Sequence, residues 1–179
     1  MNFYIIIRGP ASVGKSTVAT KLSKDFNGKH ISFDEILRKH KLDVVSGKCI
    51  SAENFIKGNE MVIPGAIKEL NNGKIVIFDG CFYYRQQIKD LIKHLHYPHF
   101  IFTLKSTKQI CIYRDKQRPK LTRIGEDSIN AVHKLVSKLD YGTIINTDNK
   151  TVEQTIKEIV KNLPKKTGDG SQNEANLTK

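Results

Sequence analysis

The residues Gly9-Pro10-Ala11-Ser12-Val13-Gly14-Lys15-Ser16 carry the spacing GxxxxGK[ST], and Thr17 follows them. That spacing suits the binding of a nucleoside triphosphate. A chain that wraps a β-phosphate must turn successive backbone N–H groups inward, so bulky side chains cannot line the inside of the curl. Gly9 and Gly14 supply the permissive backbone angles. A helix beginning near Lys15 adds the positive end of its dipole. Lys15 is then expected to reach the β- and γ-phosphates and to act in catalysis, while the Ser16 hydroxyl ligates magnesium. Gly9, Ala11, Ser12, Val13, Gly14, Lys15, Ser16 and Thr17 are the expected contacts of ATP, and ATP and Mg2+ the expected cofactors.

Two acids stand where such a loop could use them. Asp79 ends the apolar run Ile75-Val76-Ile77-Phe78, and an acid at the carboxyl end of a buried strand faces the phosphate loop, where it can hold magnesium through water. Asp79 is also a candidate for substrate binding. Asp34 ends a second run, Ile31-Ser32-Phe33. A hydroxyl that attacks a γ-phosphate must lose its proton, and a carboxylate can accept it. Asp34 equally suits an N-cap of the helix that follows, and both roles are compatible. Arg38, one helical turn on, shares its face and could hold an acidic substrate.

Of the 30 basic residues only Arg8, Arg38, Arg85, Arg114, Arg118 and Arg123 are arginine. Arginine is the better planar, bidentate ligand of phosphate, so its few positions matter. Arg114 and Arg118 are four apart and project from one helix face. A mobile lid could bring them over ATP, where they would stabilise the charge on the transferring group and bind the nucleotide. Pro119 and Gly125 bracket the flexible connection such a lid needs; whether Arg123 belongs to it stays open. Arg85, six residues past Asp79, could reach the acceptor. His94, His96 and His99 crowd one stretch without a familiar metal-ligand spacing. Tyr83 and Tyr84 could stack on an acceptor or pack in the core.

These residues need a scaffold. Phe3 to Ile7, His30 to Phe33, Ile75 to Phe78, Phe100 to Leu104 and Thr143 to Ile145 read as short apolar strands. Helical patterns run from Lys15 to Phe26, from Asp34 to His40, from about Ala52 to Leu70 with a break expected at Pro64, and from about Arg85 to Leu95. Further helices are expected over Thr107 to Lys116, Asp127 to Leu139 and Val152 to Leu163, and residues 41–51 read as loop. Continuous apolar strands alternating with helices imply an α/β fold, a parallel sheet covered on both faces. The expected domain spans residues 1–163, with a lid at about 115–127. The segment 164–179 has little to bury and reads as a disordered basic, polar tail.

The chain has 179 residues, 39% of them hydrophobic, which suits one compact domain. No apolar run of about 18 residues occurs, so no membrane span is expected. Phe3 to Ile7 runs straight into the glycine-rich motif and reads as a strand rather than a signal peptide. Cys49, Cys81 and Cys111 are widely spaced and odd in number, which fits reduced thiols and a cytoplasmic setting. The net charge of +12 favours an anionic ligand: nucleotide, phosphorylated metabolite or nucleic acid. A GTPase would need a guanine-reading NKxD. Asn146-Thr147-Asp148-Asn149 lacks its lysine and its spacing.

With the phosphate loop, Asp34, Asp79 and the paired arginines in place, residues 1 to about 163 resemble the nucleoside and nucleotide kinase branch of P-loop proteins, which includes adenylate, shikimate, gluconate and phage polynucleotide kinases. The resemblance implies a three-layer P-loop fold with a five-stranded parallel sheet in the order 2-3-1-4-5 and a small lid. It places the acid that binds substrate or acts as base on Asp34 and the following family arginine on Arg38. Asp79-Gly80-Cys81-Phe82-Tyr83-Tyr84-Arg85 is similar to the DGFPR-like segment of adenylate kinases, but longer and without its proline. Asn146 and Thr147 fall where related kinases hold adenine. The implied activity is transfer of the γ-phosphate of ATP to a hydroxyl or phosphate of a small molecule. The alternatives are a kinase of nucleic acid, acting on a 5′-hydroxyl end or a charged tRNA, and a P-loop ATPase switch. The acceptor and the oligomeric state are not readable.

Overall fold

A computed structural model describes residues 2–46 and 49–164. The tail expected at 164–179 lies, apart from Pro164, outside the described residues. Among the described residues seven strands and seven α-helices follow in the order β1 (Tyr4–Arg8), α1 (Lys15–Asp25), β2 (Lys29–Ser32), α2 (Phe33–Lys39), β3 (Val45–Ser46), β4 (Cys49–Ile50), α3 (Ala52–Asn71), β5 (Val76–Gly80), α4 (Arg85–Leu95), β6 (His99–Lys105), α5 (Lys108–Lys116), α6 (Glu126–Val136), β7 (Thr143–Asn146) and α7 (Val152–Lys161). Five strands form one parallel sheet in the order β2-β5-β1-β6-β7, which is the expected 2-3-1-4-5 when only its own strands are numbered.

Strand β1 is buried along its whole length, because helices cover both faces of the sheet. Its side chains alternate between two cores. Ile5 and Ile7 pack with Val18 and Leu22 of α1, Ile129 of α6 and Ile159 of α7. Tyr4 and Ile6 pack with Leu37 of α2, Phe55 and Leu70 of α3 and Leu91 of α4. Each fully buried Ile or Leu contributes roughly 1.5–3 kcal/mol. The parallel register sets Ile7 opposite Asp79 and Ser32 opposite the same Asp79. The carboxyl ends of β1, β2 and β5 therefore open at one edge, where Ser12 of the loop after β1, Asp34 at the start of α2 and Asp79 of β5 come together.

Three expectations need correction. Helix α3 does not break at Pro64 but continues to Asn71. A proline inside a helix costs about 3 kcal/mol; Val62 on one side and Ala66 and Leu70 on the other are buried, and that packing holds the axis across it. Residues 41–51 are not all loop, since Val45 and Ser46 pair antiparallel with Ile50 and Cys49. Phe33, assigned to the end of a strand, starts α2 instead, with Ser32 as the N-cap residue. Asp34 is therefore in the first turn, not at the cap.

Candidate active site

The turn from β1 into α1 curls because three of its residues take left-handed angles: Gly9 at φ 151°, Ser12 at 62° and Gly14 at 104°. A Cβ on Gly9 would lie 2.4 Å from the Leu104 carbonyl oxygen of β6, so only glycine fits there. Gly14 precedes the first residue of α1, which leaves the amides of the first helical turn free to meet an anion. Lys15 is buried, and its Nζ donates to the Pro10 carbonyl at 2.8 Å, across the mouth of the curl.

The next residue reaches the neighbouring strand. Ser16 Oγ donates to Asp79 Oδ2 at 2.7 Å, and the other oxygen of Asp79 meets His30 Nε2 of β2. The Asp79 carboxylate is fully buried and held from two sides. Thr20 Oγ1 lies 3.5 Å from His30 Nδ1. The hard oxygens of Ser16 and Asp79 are donors of the kind magnesium takes. Among the described residues there is no group of three or more His, Cys, Asp or Glu placed to hold a metal, so the stretch of His94, His96 and His99 does not make one.

A cleft of about 240 Å³ runs from this loop outward, walled by Lys15, Ser16, Asp34, Tyr83, Arg118 and Ile124. Asp34 is open to the cleft yet enclosed elsewhere. Desolvation pushes its carboxyl above its ordinary value; Lys15, Arg38 and Arg118 pull it down, while Asp79 adds to the rise. Arg38 lies exposed one turn further along α2. Cys81, also on the cleft wall, is buried and its thiol is pushed up to about 11.

A second cavity of about 370 Å³ adjoins the loop and is lined by Val13, Thr17, Arg114, Thr147, Thr151 and again Arg118. The guanidinium of Arg114 donates to the Val13 carbonyl at 3.2 Å and to Thr147 Oγ1 and O at 3.1 and 2.7 Å. It fastens the phosphate loop to the turn after β7. Arg118 is less tied, 3.7 Å from Asp115, and faces both cavities. Arg123 Nε donates to the Arg118 carbonyl. The structure thus brings Ala11, Ser12, Gly14, Lys15, Ser16, Thr17, Asp34 and Arg118 to one cleft, with Asp79 beneath it.

Arg85 does not join them. Its guanidinium lies 5.0 Å from the centre of the Tyr141 ring, at the start of α4, and it lines neither cavity. Two residues not foreseen stand at the site: His30, and the buried Asp115, which accepts Ser12 Oγ at 3.2 Å. No sequence signal marked either.

A phosphate loop on a five-stranded parallel sheet of this order, with an acid at the end of β5, defines the small P-loop kinase fold. The family model described as AAA domain matches residues 5–140, and the chain belongs to that family. Among solved structures, a sugar kinase from Janibacter sp. HTCC2649 superposes with TM-score 0.72 at 13% identity, covering 90% of this chain and 94% of its own. A gluconokinase from Sinorhizobium meliloti 1021 gives 0.66 at 11% identity, with 88% and 89% covered. The Mycobacterium tuberculosis APS kinase CysC, in complex with AMPPNP and APS, gives 0.64 at 12% identity, with 89% and 96% covered. No curated protein matches the sequence. Among the described residues no helix is long and apolar enough to cross a membrane.

Proposed function

We propose that the protein is an ATP-dependent kinase that passes the γ-phosphate to a hydroxyl group of a small molecule. The observation that carries this reading is the Asp34 carboxylate, which shares one cleft with Lys15, Ser16 and Arg118. A phosphate acceptor has no proton to give up at neutral pH and would meet the negative charge of Asp34; a hydroxyl needs a base at that position.

The geometry supports the following roles. The backbone N–H groups of residues 11–14 and of the start of α1 bind the phosphates. Lys15 leaves the Pro10 carbonyl for the β- and γ-oxygens. Asp34 accepts the proton of the acceptor hydroxyl, and its raised affinity for protons suits it to that task. Arg118 meets the charge spread over the equatorial oxygens. Arg38 is placed to orient the acceptor. Ser16 and Asp79 would hold magnesium, which when bound neutralises charge on the phosphate oxygens. The three cysteines are free thiols, in keeping with a cytoplasmic protein.

A screen of hydroxyl acceptors with labelled ATP, read by mass spectrometry, tests the activity. Transfer to at least one acceptor is expected, lost in Lys15→Ala together with the thermal shift that ATP induces. Transfer to no hydroxyl in a broad library, or an ATP shift that survives Lys15→Ala, refutes the reading. A second reading is favoured by the exposed cations Lys116, Lys120 and Arg123 beside the cleft and by the net charge of +12: the hydroxyl is the 5′ end of a nucleic acid. Contacts to a phosphate backbone would make binding fall steeply with salt. A flat salt dependence with oligonucleotides removes it.

A further inference from the structure

Only one acid, Asp115, interrupts the basic stretch from Lys105 to Arg123. Its side chain is 4% exposed and makes contacts in three directions. Toward the phosphate loop, it accepts Ser12 Oγ at 3.2 Å. Toward the far end of the α5–α6 connection, it accepts the Ile124 amide at 3.1 Å on each oxygen and the Gly125 amide at 3.1 Å. Toward the near end, it pairs with Arg118. Residues 117–125 are therefore a loop whose two ends close on one carboxylate. Between those ends Leu121 is fully exposed.

Of this loop, the residues that wall the cleft are Arg118 and Ile124. Both are held by Asp115. Ser12, at the other end of the same carboxylate, occupies a left-handed position that disfavours any residue but glycine, and its hydroxyl bond helps hold it there. Burial alone would raise the Asp115 carboxyl; the Ile124 and Gly125 amides, the Ser12 hydroxyl and Arg118 outweigh it and keep the group charged.

We propose that Asp115 is a positioning residue that couples the phosphate loop to a lid formed by residues 117–125, so that a nucleotide bound in the loop fixes Arg118 and Ile124 over the cleft. The proposal rests on the kinase reading, and its test separates the two. Trypsin cuts after Lys120 and Arg123 are followed with and without a non-hydrolysable ATP analogue and magnesium, and melting temperatures are recorded alongside. In the wild-type chain the nucleotide is expected to raise the melting temperature and to slow the cuts about tenfold, a usual size for coupling between sites. In Asp115→Asn the nucleotide should still raise the melting temperature, but slow the cuts less than about twofold.

A variant protected as well as the wild type overturns the coupling, as does a wild type that shifts its melting temperature without lid protection. A wild type whose melting temperature ignores the nucleotide overturns the kinase reading and the proposal with it. Should Asp115→Asn not fold, hydrogen exchange at the Ile124 and Gly125 amides of the wild type decides the matter: the nucleotide should slow it about tenfold, and exchange that ignores the nucleotide overturns the coupling.

Discussion

Asp79 and His30 face each other across the β2–β5 boundary, the imidazole Nε2 against one carboxylate oxygen, while Ser16 occupies the other at 2.7 Å. The ring thus sets the direction of the carboxylate proposed to hold magnesium. Partners that orient a metal ligand are typically worth about 10–100-fold in metal affinity. His30→Ala is expected to raise the magnesium concentration for half-maximal transfer by about that factor. His30→Gln, which keeps a donor, should recover most of it. A magnesium titration unchanged in His30→Ala would reduce the contact to packing.

The second prediction concerns Asp34, where activity and stability should separate. Its carboxyl holds protons more tightly folded than unfolded, chiefly through desolvation. Between its unfolded and its folded pKa the native state carries the extra proton, so stability falls as pH rises through that interval. At neutral pH the ionised group is therefore a cost to the fold. Asp34→Asn should melt higher than the wild type at pH 7, and the gain should vanish once pH is below the ordinary carboxylate range. Phosphoryl transfer should drop by about 10²–10⁴-fold, the usual value of a general base. A variant that melts lower at pH 7 would show that the carboxylate is stabilising, and unaltered turnover would remove it from the reaction.

What the sequence reveals of this site follows from how local the cause is. The phosphate loop is a contiguous pattern, so its residues, its glycines and the strand and helix beside it are readable in order. Asp79 and Asp34 are readable because each ends an apolar run. His30 is not, since its partner lies 49 positions away and meets it only once β2 is placed beside β5. Asp115 is masked for another reason: an acid among many cations reads as a solvated face until the Ile124 and Gly125 amides turn back onto it. Arg85 shows the limit of spacing alone. Its spacing from Asp79 is short, but the local helix start points it at Tyr141. Pro64 is a breaker by its own chemistry, and only the burial of α3 on both sides overrides it.

Arg8 carries the third prediction. It is fully buried at the end of β1, and burial pulls its guanidinium down to about 10. Among the described residues no carboxylate pairs with it. It donates instead to Thr103 Oγ1 and to the carbonyls of Phe82, Val136 and Leu139, the last two at and just beyond the end of α6. Arg8 therefore closes the C-terminal end of α6. Arg8→Met keeps the bulk and strands those carbonyls. The expected loss is about 2–4 kcal/mol, given about 1–3 kcal/mol for a buried group left unpaired. Urea denaturation measures it, and a loss below about 0.5 kcal/mol, the usual scatter of surface changes, would contradict the assignment.

Arg114, in the last turn of α5, and Arg118, two residues past its end, should fail differently. Arg114 makes three hydrogen bonds within the protein, to Val13 on the phosphate loop and to Thr147 after β7. Its removal loosens both walls of the cavity beside the loop, so Arg114→Ala is expected to weaken ATP binding by about 10–100-fold, at roughly 0.5–1 kcal/mol net for each of the three bonds lost. The acceptor KM should stay nearly unchanged. Arg118 has one long ion pair and faces the cleft. Arg118→Ala should leave the KM for ATP within about threefold while kcat falls by about 10³-fold, as for an arginine that meets charge only in the transition state. Isothermal titration with ATP and steady-state kinetics on the two variants separate these outcomes. A kcat defect in Arg114→Ala with intact ATP affinity, and the reverse in Arg118→Ala, would exchange their roles and move the transferring phosphate toward Thr147.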